Sequence, residues 1–170
     1  MAAPVSLAPA ASPSTILALD LATRLGWARL DVDGCVSSGA VQLPSPPVAR
    51  LAAFWRWLEV ELRPAPQLLV YERIVLARMR GGIMGAAAHR VASQLEGLTL
   101  LAAGLAGVPR WTHVTPAELK VSATGKGNAP KAEVVASMRE RWGRPELEDD
   151  NEADALALLA LAIDALKVVA

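Results

Sequence analysis

Apolar and polar residues along this chain alternate in two rhythms, and each change of rhythm marks an element. Residues 15 to 20 carry the apolar run ILALD, which ends in an acid and has the length and character of a buried strand. The segment GWARLDVDGCVSSGAVQL then alternates about Asp33-Gly34, a dipeptide that supplies the positive φ of a hairpin turn, so two further strands follow. From 47 to 64 the interval lengthens, with Leu51, Phe54, Trp55, Leu58 and Leu62 at helical spacing between prolines at either end. Residues 67 to 72, QLLVYE, make another short buried strand closing on an acid. A long Ala-rich helix is predicted from about Met84 to Leu105, then a short strand from Trp111 to Val114.

Thr115-Pro116-Ala117-Glu118 has the form of a capping box with proline at the first helical position, so a helix begins there. The stretch TGKGNA at 124 to 129 breaks it. Helices are expected at about 130 to 142 and 151 to 168, the last opened by the acidic pair Asp149-Asp150. The order βββαβαβααα implies an α/β fold, a mixed five-stranded sheet flanked by helices on both faces. Residues 1 to 14, MAAPVSLAPAASPS, have no periodicity and are expected to form a disordered tail, neither signal peptide nor anchor, ahead of one domain over 15 to 170.

Composition changes this picture in three respects. The mean hydropathy of +0.32 reflects abundant Ala and Leu, and the most apolar helix candidate, 155 to 169, is interrupted by Asp164 and Lys167. That falls short of a bilayer span, so a soluble protein without a membrane partner is expected. The single cysteine, Cys35, excludes an internal disulfide and a Cys-rich zinc site, suits a reducing cytoplasm, and is expected as a small buried hydrophobe in a strand. The formal net charge is zero, yet residues 73 to 145 hold eleven Lys/Arg against four Glu, and residues 146 to 154 hold six acids and no base. A basic surface beside a compact acidic cluster suits an enzyme that grips phosphates and binds cations.

The candidate chemistry lies in the acids. Asp20 and Glu72 each end an apolar strand and would emerge at one sheet edge if those strands are parallel neighbours, the edge where open α/β sheets bind ligands. Asp154 sits one turn inside an apolar helix, where a carboxylate is costly unless paired or metal-bound. Asp150 and Asn151 share its face at four and three residues before it, whereas Asp164 is turned away and reads as solvated. Three convergent carboxylates, with no Cys cluster and only His89 and His113, select magnesium or manganese over zinc. Two such ions about 4 Å apart would activate a water and stabilise the leaving oxygen of a phosphodiester. The two histidines read as peripheral, and Trp27, Trp55, Trp57, Trp111 and Trp142 as packing residues.

Taken together, LALDLATRLGWA, VYERI, LKVSATGKGNAPKAEV and EADALALLALA resemble the RuvC family of Holliday junction resolvases, within the ribonuclease-H-like superfamily. The third segment is the most specific, holding Lys120, Gly125, Gly127 and Lys131 in the family's spacing. The resemblance implies a homodimeric endonuclease that cuts four-way or branched DNA with Mg2+, for which Mn2+ can substitute, at two ions per site. It makes Asp20, Glu72 and Asp154 catalytic metal ligands, sets Lys120 near the scissile phosphate, and gives Lys126 and Lys131 to DNA. The family's fourth acid falls on Asn151, with Asp150 beside it as the alternative ligand, and the Pro-Gly that often follows the first acid is Leu21-Ala22, as in divergent phage-type members. A base-stacking aromatic would fall near Val75. The loop VLARMRGGIMG offers Met79, Ile83 and Met84 as wedges, Arg78 and Arg80 for phosphates, and Gly81-Gly82 for mobility. Dimerisation is expected on the small-residue face of GIMGAAAHRVASQLEGLTLLAAGLAG. Two rivals share these features: a nuclease of the same superfamily acting on RNA or an RNA–DNA hybrid, and an inactive DNA-binding module, which Asn151 favours.

Overall fold

The computed structural model describes residues 15–73 and 86–169. Among the described residues are five strands, β1 (Ile16–Asp20), β2 (Arg24–Leu30), β3 (Val36–Gln42), β4 (Leu68–Glu72) and β5 (Trp111–Val114), and five helices. These are α1 (Pro47–Glu61), α2 (Ala86–Ala106), α3 (Pro116–Thr124), α4 (Lys131–Trp142) and α5 (Asp150–Val169). The strand order is β3-β2-β1-β4-β5, with β1, β2 and β3 antiparallel and β1, β4 and β5 parallel.

The strand β1 is apolar on both sides because it is central and helices cover both faces. Its alternate side chains enter two cores. Ile16 and Ala18 join Leu68, Val70 and the inner faces of α3, α4 and α5. Leu17 and Leu19 join Leu69, Tyr71 and the inner residues of α1 and α2, among them Phe54, Leu58 and Leu95. The tryptophans Trp27 and Trp57 and the ring of Phe54 pack in one group, with centroids 6.3 and 6.2 Å apart in successive pairs. Trp111, by contrast, is 55% exposed on the edge strand β5.

Local chemistry sets the element ends. The β2–β3 hairpin turns at Gly34, whose φ of 83° an L side chain adopts only with strain. The capping box of α3 forms as expected, the Thr115 hydroxyl accepting from the Glu118 N–H (3.3 Å) and the Glu118 carboxylate from the Thr115 N–H (2.8 Å). This helix stops at Gly125 in the left-handed conformation, which lets the chain reverse before α4. Arg29, buried in β2, donates from Nε to Asp31 (2.6 Å) and from Nη2 to the Pro64 carbonyl (3.1 Å), tying the end of α1 to the sheet.

One expectation is corrected here. Cys35 lies outside the strand and is exposed, because the turn extends one residue further and the Asp33 carboxylate accepts from the Cys35 N–H (2.9 Å). Among the described residues no helix is long and apolar enough to cross a membrane.

Candidate active site

The register of β1 with β4 sets Leu19 opposite Tyr71, so Asp20 and Glu72 follow at the next position on adjacent parallel strands. Strand alternation turns both acids toward the face of Ile16, Ala18, Leu68 and Val70, which α5 covers. Asp154 stands on α5 between the fully buried Ala153 and Ala155. Three acids distant in sequence thus come near enough to feel one another's charge where one helix crosses two strand ends.

Their ionisation reflects that crowding. Burial first, then the charges of Glu72 and Asp154, hold the Asp20 carboxyl well above the usual range. Burial and then Asp154 push Glu72 up to about 7. Burial pushes Asp154 up to about 6, with Lys131 opposing and Asp150 adding to the shift. Two cations relieve the repulsion in part. Lys131, the first residue of α4, pairs with Asp150 and lowers the pKa of Asp20, Glu72 and Asp154. Lys120 of α3 acts in the same sense on Glu72 and Asp154. The break at Gly125 is what allows α3 and α4 to bring one lysine each to the acids.

The start of α5 divides its acids between two tasks. Asp149 is the cap, its Oδ1 accepting from the N–H groups of Asn151 (3.0 Å) and Glu152 (3.2 Å), while Arg24 Nε donates to its other oxygen. Asp150 is therefore free of capping and faces Lys131. The Asn151 amide donates to the Asp149 and Asp150 carboxylates at 3.3 and 3.1 Å.

Other expected site residues lie elsewhere. Lys126 pairs with Glu133 at 2.8 Å in an exposed position. Arg78, Arg80, Val75, Met79, Ile83, Met84 and Gly81-Gly82 fall outside the described residues. His89 contacts Ser93 on α2, and His113 lies exposed on β5 with its ring against Tyr71 at 6.0 Å. Much of the basic stretch is consumed internally: Arg73 faces Glu96, Arg141 pairs with Asp164 and Arg144 with Glu152. Asp164, paired with Arg141 at the surface, keeps its side chain 49% exposed.

Sequence reasoning missed Gly26 and Arg24, and set Asp149 at the start of α5 without its cap and ion-pair role; these residues seat α5 on the sheet. A lone glycine inside a strand was the available signal, since it marks a close backbone approach.

Clefts of 490 Å³ beside β5 and α5 and of 410 Å³ between the ends of α1 and α2 are lined mainly by apolar residues and contain none of the acids Asp20, Glu72, Asp150 or Asp154. Among the described residues no three His, Cys, Asp or Glu side chains are already arranged to hold a metal ion, so the acids approach one another without forming a ligand cluster. The donors present are all carboxylate oxygens, largely buried and mutually repelling, a set that fits a hard divalent cation.

No family model matches the chain. The RuvC crossover junction endodeoxyribonuclease of Bifidobacterium longum subsp. infantis is 34% identical over 115 residues, covering 67% of this chain and 55% of that protein. The RuvC of Mycobacterium ulcerans is 34% identical over 134 residues, covering 79% of this chain and 66% of that protein. The chain thus spans between a little over half and about two thirds of the length of these curated relatives. The structure of Thermus thermophilus RuvC in complex with Holliday junction substrate superposes with a TM-score of 0.72 at 26% identity, over 91% of this chain and 96% of that one. The yeast mitochondrial Holliday junction resolvase Ydc2 shares the fold, with a TM-score of 0.55 at 16% identity over 90% of this chain and 79% of that one. Sheet order and these superpositions define the fold as ribonuclease-H-like. Within that class, the chain is RuvC-like.

The raised acids set a pH signature for the metal-free protein. A carboxyl whose folded pKa lies above its unfolded value favours folding below the unfolded pKa and loses that contribution as pH rises through the folded one. For Glu72 the window runs from the ordinary value of 4.5 to about 7. In chelator, Glu72→Gln should therefore melt above the wild type at pH 8, with the advantage shrinking toward pH 4.5 in thermal scans. An advantage independent of pH would contradict this assignment.

Proposed function

We propose that this chain is a metal-dependent endonuclease that hydrolyses phosphodiesters in Holliday junctions or other branched DNA, working as a homodimer in the cytoplasm. The observation that carries this reading is the group Asp20, Glu72 and Asp154 at the carboxyl ends of β1 and β4, flanked by Lys120 and Lys131.

In this reading Asp20, Glu72 and Asp154 hold Mg2+, which Mn2+ can replace, at two ions per site. Asp150 is preferred to Asn151 as the fourth ligand, because an anionic oxygen holds a divalent ion better than a neutral amide and because Asp149 relieves Asp150 of capping. When bound, the ions supply charge neutralisation and a reactive water at neutral pH. The protein's own groups do the rest. Glu72 and Asp154 must release their protons to become ligands, and the positive charges of Lys120 and Lys131 favour that release. The same two ammonium groups give a phosphate oxygen a cationic surface beside the acids, Lys120 near the scissile phosphate and Lys131 helping to hold the DNA. Arg78, Arg80 and Lys126 serve the flanking backbone, fixing register without reading bases.

The likeness to a RuvC solved with its junction supports branched DNA as the substrate. The outward face of α2 supports the dimer: Arg90, Gly97, Leu101, Gly104 and Leu105 recur at helical spacing, and Leu101 and Leu105 are 54% and 72% exposed. Two copies held there would present two sites at a fixed separation, and structural selectivity would follow from geometry.

Four-way, flap, hybrid and linear substrates compared with and without Mg2+ test the activity. Metal-dependent cleavage of the four-way junction is expected, lost by more than about a hundredfold in Asp20→Asn, Glu72→Gln or Asp154→Asn, since even outer-sphere partners cost up to that much. Junction binding in chelator should persist in all three variants. Preferred cleavage of the hybrid, or retained activity in two of the three, would overturn the proposal. For the dimer, sedimentation of Leu101→Glu/Leu105→Glu should show monomers where the wild type shows dimers, and an unchanged dimer would move the interface off this face.

A further inference from the structure

The first turn of α5 lies directly on the backbone of β2 at one residue. A Cβ built on Gly26 would stand 1.9 Å from the Asn151 carbonyl oxygen, 2.4 Å from its carbon and 3.2 Å from the Asn151 Cα. No side-chain rearrangement can relieve such an overlap, because every atom met is main chain. Gly26 is also the cross-strand partner of Asp20. The point where the helix touches the sheet is therefore level with the first acid, and the helix that touches it carries Asp150 and Asp154.

A second contact holds the same turn. Arg24, two residues before Gly26 and on the same side of β2, donates to the Asp149 carboxylate, whose other oxygen caps α5. Small residues continue the close approach inward: Ala18 and Ala28 on the strands and Ala153 and Ala157 on the helix are buried. On the far side the Ser38 hydroxyl donates to Glu152 at 2.6 Å.

We propose that Gly26 and the Arg24–Asp149 ion pair form the mount that sets the spacing between Asp20 and the carboxylates of α5, which makes them positioning residues for the cation. The inference rests on the metal-dependent reading above. Its physical basis is tolerance: Mg2+ demands near-ideal octahedral geometry at about 2.0–2.1 Å, whereas Ca2+ accepts six to eight oxygens at about 2.3–2.6 Å. A helix lifted from its seat should thus lose Mg2+ far more than Ca2+.

The test is calorimetric binding of Mg2+ and of Ca2+ to the full chain without DNA, beside junction binding in chelator and thermal scans. Gly26→Ala is the direct variant. Arg24→Gln and Asp149→Asn loosen the mount without a clash, and asparagine remains a competent cap. Each is expected to weaken Mg2+ by about tenfold or more, as loss of outer-sphere support does, with a much smaller change for Ca2+ and unaltered junction binding in chelator. Arg24→Gln is the sharpest arm. Arg24 pairs with Asp149, so removing its positive charge would, on charge alone, leave Mg2+ binding unchanged or tighten it, and weaker binding reports geometry. The double variant Arg24→Gln/Asp149→Asn should be no worse than either single, because both remove one contact. Wild-type Mg2+ affinity in the two single variants would overturn the inference while leaving the metal reading standing. Loss of junction binding in Arg24→Gln alone would overturn it also, by making Arg24 a DNA contact. Failure of the wild type to bind Mg2+ would remove the metal reading itself. Should Gly26→Ala fail to fold, the ion-pair variants still decide.

Discussion

Bringing Asp20, Glu72 and Asp154 together raises their free energy, because like charges in a poorly hydrated place repel one another and lose their water. The shifts of all three acids in one direction, with burial as the first cause in each, are the record of that conflict. Lys120 and Lys131 answer it in part, and a divalent cation would answer the remainder. The site is consequently an unfavourable local arrangement that the rest of the fold must hold in place.

The holding is done by the architecture. The strands β1 and β4 are parallel and central, so their ends are supported from both faces and their terminal acids cannot drift apart. The helix α5 packs on the same face through a run of alanines and leucines, and Gly26 and the Arg24–Asp149 pair settle its first turn against β2. The break between α3 and α4 then places a lysine from each helix beside the acids. Apolar packing beneath the site supplies the free energy that its charges consume.

Much of this was legible in the sequence, because the signals involved are local. Asp20 and Glu72 each closed an apolar run, Thr115 through Glu118 spelled a cap, and Asp154 was an acid in an otherwise apolar helix. What escaped is tertiary. The roles of Gly26 and Asp149 depend on which backbone lies above them, and nothing in the spacing of residues 24 to 26 announces residue 151. Cys35 was placed in the strand by its apolar character, although the Asp33 carboxylate keeps the turn open one residue longer. The basic excess of the middle of the chain also overstated the free charge, since counting cannot see that Arg141 meets Asp164 or that Arg144 meets Glu152.

On this reading these acids are protonated in part when metal-free and become anions when a cation arrives. Calorimetric titration of Mg2+ into the protein at pH 7, repeated in buffers of different ionisation enthalpy, counts the protons that leave on binding. With Glu72 held up to about 7, Asp154 up to about 6 and Asp20 above its usual range, net release of protons is predicted as Mg2+ binds, as expected where ligands must deprotonate. Saturable Mg2+ binding with no proton release would contradict it.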